Sequence, residues 1–410
     1  MDTTVGSAPA RRLAGGLVLR PARPGDLDQI GALLTSRGEA ADGVDHRLVM
    51  LDPDAGWSSC AVVVDGDRVV STATLLDETL QLATVTIPAG QVELVATDTG
   101  YEGRGLVRAL MGWAHERSAR LGHLAQVMVG IPYFYRQFGY AYAMPITALR
   151  PVVSTPAAPR GRVTVRAATV ADIPAMDALQ RREQAGADLR MPHSPACWRW
   201  LVARAGSDLW LAERAGAAVA TGRTTPVEDG GLLAEIAAAD ADGAQALLRH
   251  ASEVVGPTLR VRERPGTVAG DTLDEHLGPR PDTVACHYAR IADPVALLEH
   301  LRPVLSARLA AAGFADADGE ALVSFFRFHV RLPYARGAVG PVVAGGVMQA
   351  PFDAGGAGVA PDLVAPLLFG PAGIAGLARL HPDVYPGPAV ALMHTLFPPV
   401  RSDLLTFYLP

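Results

Sequence analysis

Residues 18–34 and 164–180 are two versions of one passage. The first reads VLRPARPGDLDQIGALL and the second TVRAATVADIPAMDALQ. Each is a short run of strand formers ending in an arginine, Arg20 or Arg166. A turn follows, then an aspartate, Asp26 or Asp172, at a helix N-cap position. Apolar residues then recur at helical spacing: Leu27, Ile30, Leu33 and Leu34 in the first copy, Ile173, Met176 and Leu179 in the second. A hairpin signal comes next in both, Asp65-Gly66 and Ala215-Gly216, each between two apolar runs. A supersecondary unit repeated over this length predicts two copies of one α/β unit, at 16–150 and 163–288.

The 410 residues leave room for a third unit at 290–410, given roughly 100–200 residues per domain. Residues 293–310 predict a helix capped by Asp293, with Pro294 at its first position. Strand-like LVSFFRFHVRL and GPVVAGGVMQA follow, then short helices broken by Gly and Pro, an α+β pattern. Residues 1–15 lack the apolar core and cleavage site of a signal peptide and predict a flexible leader.

The two copies diverge where a ligand would bind. In the first, LVATDTGYEGRGLVRALMGW (94–113) runs from a strand through a glycine-rich turn straight into a helix, an arrangement that binds anions. In the second, the corresponding place reads LLAEIAAADADGAQALLRH, with no glycine cradle and two acids where an anion would sit. The first unit is therefore expected to be the working one. No Lys follows Gly103 or Gly105, which excludes a P-loop. A dinucleotide fingerprint fails at its third glycine, where Arg108 stands and would block close packing of helix on strand.

Composition narrows the function classes. The net charge of −6 and the absence of a basic block speak against a nucleic-acid surface. No apolar run approaches the roughly 20 residues of a membrane span. The three cysteines, Cys60, Cys197 and Cys286, are far apart, and the 11 histidines are scattered, so no metal site is expected. The thiols fit a reducing, cytoplasmic setting.

The turn EGRGLV resembles the coenzyme A loop of the GNAT acyltransferases, in which a strand, an R/Q-x-x-G-x-G/A turn and a helix hold a diphosphate through backbone N–H groups. Glu102 replaces the usual basic residue or Gln, Val107 replaces a small residue, and Gly100 stands where Pro is usual. A second stretch, FYRQFGY (134–140), resembles the I-Y-G-R-F-G-Y segment of the enhanced intracellular survival (Eis) acetyltransferases. The length and the order of units are also similar to that family. The resemblance implies an α/β (α+β) chain of two tandem GNAT-like domains, the second degenerate, followed by a sterol-carrier-protein-like α+β domain. It implies acetyl transfer from acetyl-CoA to a primary amine of an aminoglycoside, a polyamine-like compound or a lysine side chain, in a homo-oligomer, a hexamer by family habit.

The same resemblance implies the site. Tyr135 matches the family's general acid, although on composition alone it is one member of an aromatic group with Tyr133, Phe134, Phe138, Tyr140 and Tyr142. Val95, Ala96 and Thr97 would meet the acetyl carbonyl and the pantetheine amides. Gly103, Arg104, Gly105, Leu106, Val107 and Arg108 would hold the diphosphate, and Gly130 and Ile131 would line the pantetheine. The family's base is the α-carboxylate of a terminal aromatic residue. Phe407 resembles that aromatic but three residues follow it, so the carboxylate would be that of Pro410. Asp26 and Glu93 are the alternative bases. Two other readings stay open: a transferase with another acyl donor or acceptor, and a non-catalytic acyl-CoA binder.

Overall fold

The computed structural model describes residues 10–38, 40–157, 162–227, 230–282 and 285–406. Its first unit begins earlier than the leader reading expects, because β1 (Arg11–Arg12) pairs antiparallel with β2 (Val18–Pro21). Then come α1 (Leu27–Arg37), α2 (Ala40–Leu51), β3 (Cys60–Asp65), β4 (Arg68–Leu82), β5 (Val85–Thr97), α3 (Leu106–Arg120), β6 (Ala125–Met128) and β7 (Ala141–Ile146). Strands β1 to β6 lie side by side in sequence order. All are antiparallel except β6, which runs parallel to β5. Helix α3 buries Leu106, Leu110, Met111, Trp113 and Ala114 against one face. Helices α1 and α2 cover the other with Ile30, Leu33, Leu34, Val49 and Met50.

The second unit repeats this plan: β8 (Leu149–Pro151), β9 (Val163–Ala167), α4 (Ile173–Gln184), β10 (Leu189–Met191), α5 (Pro195–Ala203), β11 (Asp208–Arg214), β12 (Ala217–Val227), β13 (Gly230–Ala238), α6 (Ala241–Val255), β14 (Leu259–Arg262), α7 (Val268–Leu273) and β15 (Ala285–Arg290). The repeat extends to side chains. Arg20 grips Asp26 at 2.6 and 2.8 Å, and Arg166 grips Asp172 with both distances 2.8 Å. It extends to backbone defects as well. Leu94 in β5 and Glu235 in β13 both have positive φ (52° and 54°), and each sits beside a one-residue shift in pairing, a β-bulge.

The units exchange strands. β15, from the end of the second repeat, inserts between β6 and β7 of the first sheet. β8, from the end of the first, closes the second sheet beside β14. Boundaries at 150 and 288 therefore follow the repeat in sequence but not the sheets.

The last unit holds α8 (Pro294–His300), α9 (Arg302–Ala311), β16 (Gly319–Ser324), β17 (His329–Ala335), β18 (Ala338–Val339), β19 (Val343–Gly345), β20 (Ala357–Gly358), α10 (Val364–Phe369), α11 (Gly373–Leu380), α12 (Val390–Leu396) and β21 (Ser402–Leu404). The single helix expected at 293–310 is two, split at Leu301, with Pro303 in the first turn of the second. The run LVSFFRFHVRL is a hairpin, β16 turning into β17 through 325–328. β21 leaves this unit and returns to the first sheet. It pairs parallel with β10, which in turn pairs antiparallel with the far end of β4. Among the described residues no helix is long and apolar enough to cross a membrane.

Candidate active site

Strands β5 and β6 pair only from Ala89 to Gln91 and Ala125 to Val127. Beyond that point β5 continues to Thr97 while β6 ends at Met128. The bulge at Leu94 helps turn β5 away. The β6-facing edge of Val92–Thr97 is thus left without a strand partner, and its polar groups are available to a ligand. The other edge is secured: Thr97 and Ala96 pair with Ser71 and Thr72, and Ser71 Oγ donates to the Ala96 carbonyl at 2.9 Å.

At the end of β5 the chain makes the glycine turn. Gly103 and Gly105 have φ of 74° and 76°, and a Cβ on either would meet nothing within 4 Å. Glycine is required there by backbone conformation and not by crowding. Gly105 caps α3, so the free N–H groups of the helix's first turn open onto the same space.

A cleft of about 530 Å³ runs from this turn into the gap between β5 and β6. It brings together Val95, Ala96, Thr97, Gly103, Gly105, Leu106, Val107, Arg108, Ile131 and Tyr135. Two of the expected residues lie elsewhere. Gly130 sits beneath the Tyr135 ring, where a Cβ would come within 2.3 Å of Cε2. Arg104 folds back to donate to the Gly100 carbonyl at 3.0 Å and stacks on Tyr101. Cationic charge on the cleft wall comes from Arg108 and from Arg37, which sequence reading missed. Arg37 ends α1, far in sequence from the turn, and its ion pair with Glu102 at 2.5 Å balances the acid that breaks the loop pattern.

Tyr135 lies on the short 3₁₀ turn Phe134–Phe138 and is 5% exposed. Burial, and after it the charge of Glu93, pushes its phenol up to about 12, so the group keeps its proton at neutral pH. Glu93 is half-buried one residue before the bulge and accepts from Gln91 Nε2 at 2.6 Å. Burial pushes its carboxyl up to about 8, within reach of a base working near neutrality. Asp26 is not a candidate base. It accepts both guanidinium nitrogens of Arg20 and the N–H of Arg23, and so locks the start of α1. Phe407 and Pro410 lie outside the described residues. Among the described residues no group of His, Cys, Asp or Glu could hold a metal.

The second unit has the same splay, but side chains enter it and leave a cavity of about 100 Å³. β13 and β14 pair from Gly231 to Leu233 and Leu259 to Val261. In the space beyond, Arg264 Nη1 donates to the Ile236 carbonyl at 2.8 Å and to Gln180 Oε1 at 2.7 Å. At the head of α6, Asp240 accepts the Gly243 N–H and is held by Arg214. The anion position is thus taken by a side-chain carboxylate.

Comparison with known proteins agrees with this geometry. Residues 19–143 match the family model described as an acetyltransferase (GNAT) domain. No curated protein sequence matches the chain significantly. Among solved structures, a GCN5-related N-acetyltransferase from Anabaena variabilis superposes with a TM-score of 0.68 at 14% identity, over 95% of this chain and 98% of that one. One from Kribbella flavida gives 0.65 at 17% identity, over 96% and 98%. Eis1 from Mycobacterium abscessus gives 0.58 at 14% identity, over 95% and 99%. At these identities the structures share a fold across almost their whole length. Residues 19–143, the turn and cleft included, thus form a GNAT acetyltransferase domain.

Proposed function

We propose that the protein transfers an acetyl group from acetyl-CoA to a primary amine of a cationic small molecule, aminoglycoside- or polyamine-like, or of a lysine side chain. The observation that carries this reading is the placement of Tyr135 at the splay between β5 and β6, in one cleft with the glycine turn and the head of α3, and close enough to Glu93 on β5 to feel its charge. The turn Gly103–Arg108 takes the diphosphate, with Arg37 and Arg108 beside it. The open edge at Val95–Thr97 takes the pantetheine amides, and a backbone N–H near Val95 meets the thioester oxygen as it gains charge.

In the reaction the neutral amine attacks the thioester carbonyl, forming the C–N bond, and the C–S bond breaks. The proton lost by the nitrogen passes to Glu93. The departing thiolate takes the Tyr135 proton, and solvent restores both groups. The tail carboxylate of Pro410 is the second candidate base. In its favour, β21 carries the chain back into the first sheet, beside the strand that leads along β4 toward Glu93. The preference for a cation is supported by the net charge of −6. The last unit is read as a sterol-carrier-protein-like scaffold that presents the tail and supports a homo-oligomer.

The test is release of CoA from acetyl-CoA in the presence of spermidine, kanamycin or an Nα-blocked lysine amide, each with wild type and Tyr135→Phe. Turnover with at least one amine, falling roughly 10²-fold in the variant, is expected for loss of a general acid. Turnover unchanged by Tyr135→Phe would remove the tyrosine's role. No turnover with any amine would overturn the choice of acceptor.

A further inference from the structure

We infer that Tyr288, on the strand that arrives from the end of the second unit, is a positioning residue for acetyl transfer, acting with Tyr142 to hold the 131–135 turn that carries Tyr135. The inference rests on the proposed role of Tyr135.

That turn is under strain, and its first half, Ile131 to Tyr133, is exposed. Tyr133 adopts φ of 68°, a left-handed conformation costly for a side chain with a Cβ, and its ring is largely exposed. Its own backbone supplies two bonds, from the Phe134 N–H to the Ile131 carbonyl at 3.3 Å and from the Arg136 N–H to the Tyr133 carbonyl at 3.2 Å, and the hydroxyls of Tyr142 and Tyr288 are placed to hold it further. The Tyr133 N–H donates to Tyr142 Oη at 3.0 Å. Tyr288 Oη lies 2.8 Å from Tyr142 Oη and 3.2 Å from the Ile131 carbonyl, to which its single proton can be given in turn. The two hydroxyls therefore bridge the carbonyl at one end of the turn and the N–H two residues on.

The clamp has a rigid base. Tyr288 is fully buried, and its strand is paired on both sides, with Met128 of β6 and Tyr142 of β7. The rings of Tyr142 and Tyr288 stack at 4.2 Å, and the Tyr288 ring meets that of Tyr135 edge-on at 5.9 Å. Two residues along, Arg290 donates to Gln126 Oε1 at 3.1 Å and fixes the strand a second time. Packing could be supplied by phenylalanine at 288. The hydroxyl's partners are the Ile131 carbonyl and Tyr142, so its removal acts on the turn and leaves the glycine cradle and β5 alone. The strand exchange thus makes the first unit's chemistry depend on a residue contributed after the second.

The experiment uses the full chain and four variants: Tyr288→Phe, Tyr142→Phe, Tyr135→Phe and the double Tyr288→Phe/Tyr135→Phe. Acetyl-CoA binding is measured by calorimetry. Turnover is measured with whichever of the three amines above releases CoA. For Tyr288→Phe and for Tyr142→Phe, kcat is expected to fall about tenfold, as a small misplacement of a reacting group does, while acetyl-CoA affinity stays within about threefold. In the double variant kcat is expected to equal that of Tyr135→Phe alone, because there is no acid left to misplace. A kcat within twofold of wild type in Tyr288→Phe, losses that multiply in the double variant, or affinity falling in step with kcat would each overturn the inference. If Tyr135→Phe is itself unimpaired, or no amine is acetylated, the underlying reading falls and this one with it. If Tyr135→Phe is impaired and Tyr288→Phe is not, this inference alone falls.

Discussion

In the proposed reaction two residues set the chemistry, and both do so through loss of contact with water. The Tyr135 phenol is held at about 12 and the Glu93 carboxyl at about 8, in each case chiefly because the charged form would lie away from water. The signs suit opposite tasks. A phenol raised above its ordinary range is protonated throughout the working range and can only give a proton. A carboxyl raised from the ordinary 4.5 to about 8 is largely protonated at pH 6 and largely ionised at pH 9. If Glu93 accepts the amine proton, kcat/KM should rise with pH through a limb near 8. Glu93→Gln should remove that limb and leave only the acceptor's own titration. A wild-type profile without the limb would point to the tail carboxylate, whose unperturbed pKa is near 3.5. Tyr135 is legible in the sequence only through its place before Phe138-Gly139-Tyr140. Arg37 is not legible at all, because its position in the cleft depends on how α1 packs, and spacing along the chain carries no trace of that.

At the scale of elements, the strand, glycine turn and helix of 94–113 are readable because each depends on local chemistry. Gly103 and Gly105 supply positive φ, and the apolar stripe of α3 supplies the packing face. The bulges at Leu94 and Glu235 are not readable, since leucine and glutamate at positive φ run against local preference. They are set by pairing with a neighbouring strand. The emptiness of the second cradle is readable from the missing glycines and the acids at 240 and 242. What enters the second splay, the Arg264 side chain, is a tertiary fact. The same limit explains the break at Leu301 and the reading of the 319–335 hairpin as one strand-like piece.

At the scale of the whole molecule, the repeat predicts two units but not the exchange of β8 and β15 between their sheets. Periodicity identifies strands and says nothing of their partners. The exchange has a consequence for stability. A fragment ending at residue 157 lacks β15, so β6 and β7 lose the strand between them, and Tyr288 leaves the aromatic core. Such a fragment is expected to melt without a cooperative transition by circular dichroism, whereas the full chain melts cooperatively. A sharp transition in the fragment would mean that the first sheet closes without its borrowed strand.

In the proposed function the turn of 103–108 and the head of α3 hold the diphosphate of acetyl-CoA. The most direct measurement is calorimetric titration of the full chain with acetyl-CoA, repeated with Gly105→Glu. A glutamate there has open space for its side chain but places a carboxylate where the phosphates belong. Saturable one-to-one binding by the wild type, lost in Gly105→Glu while that variant still melts cooperatively, at a temperature lowered by the left-handed strain at 105, is the predicted result. Equal binding by both proteins, or none by either at millimolar acetyl-CoA, would contradict the account.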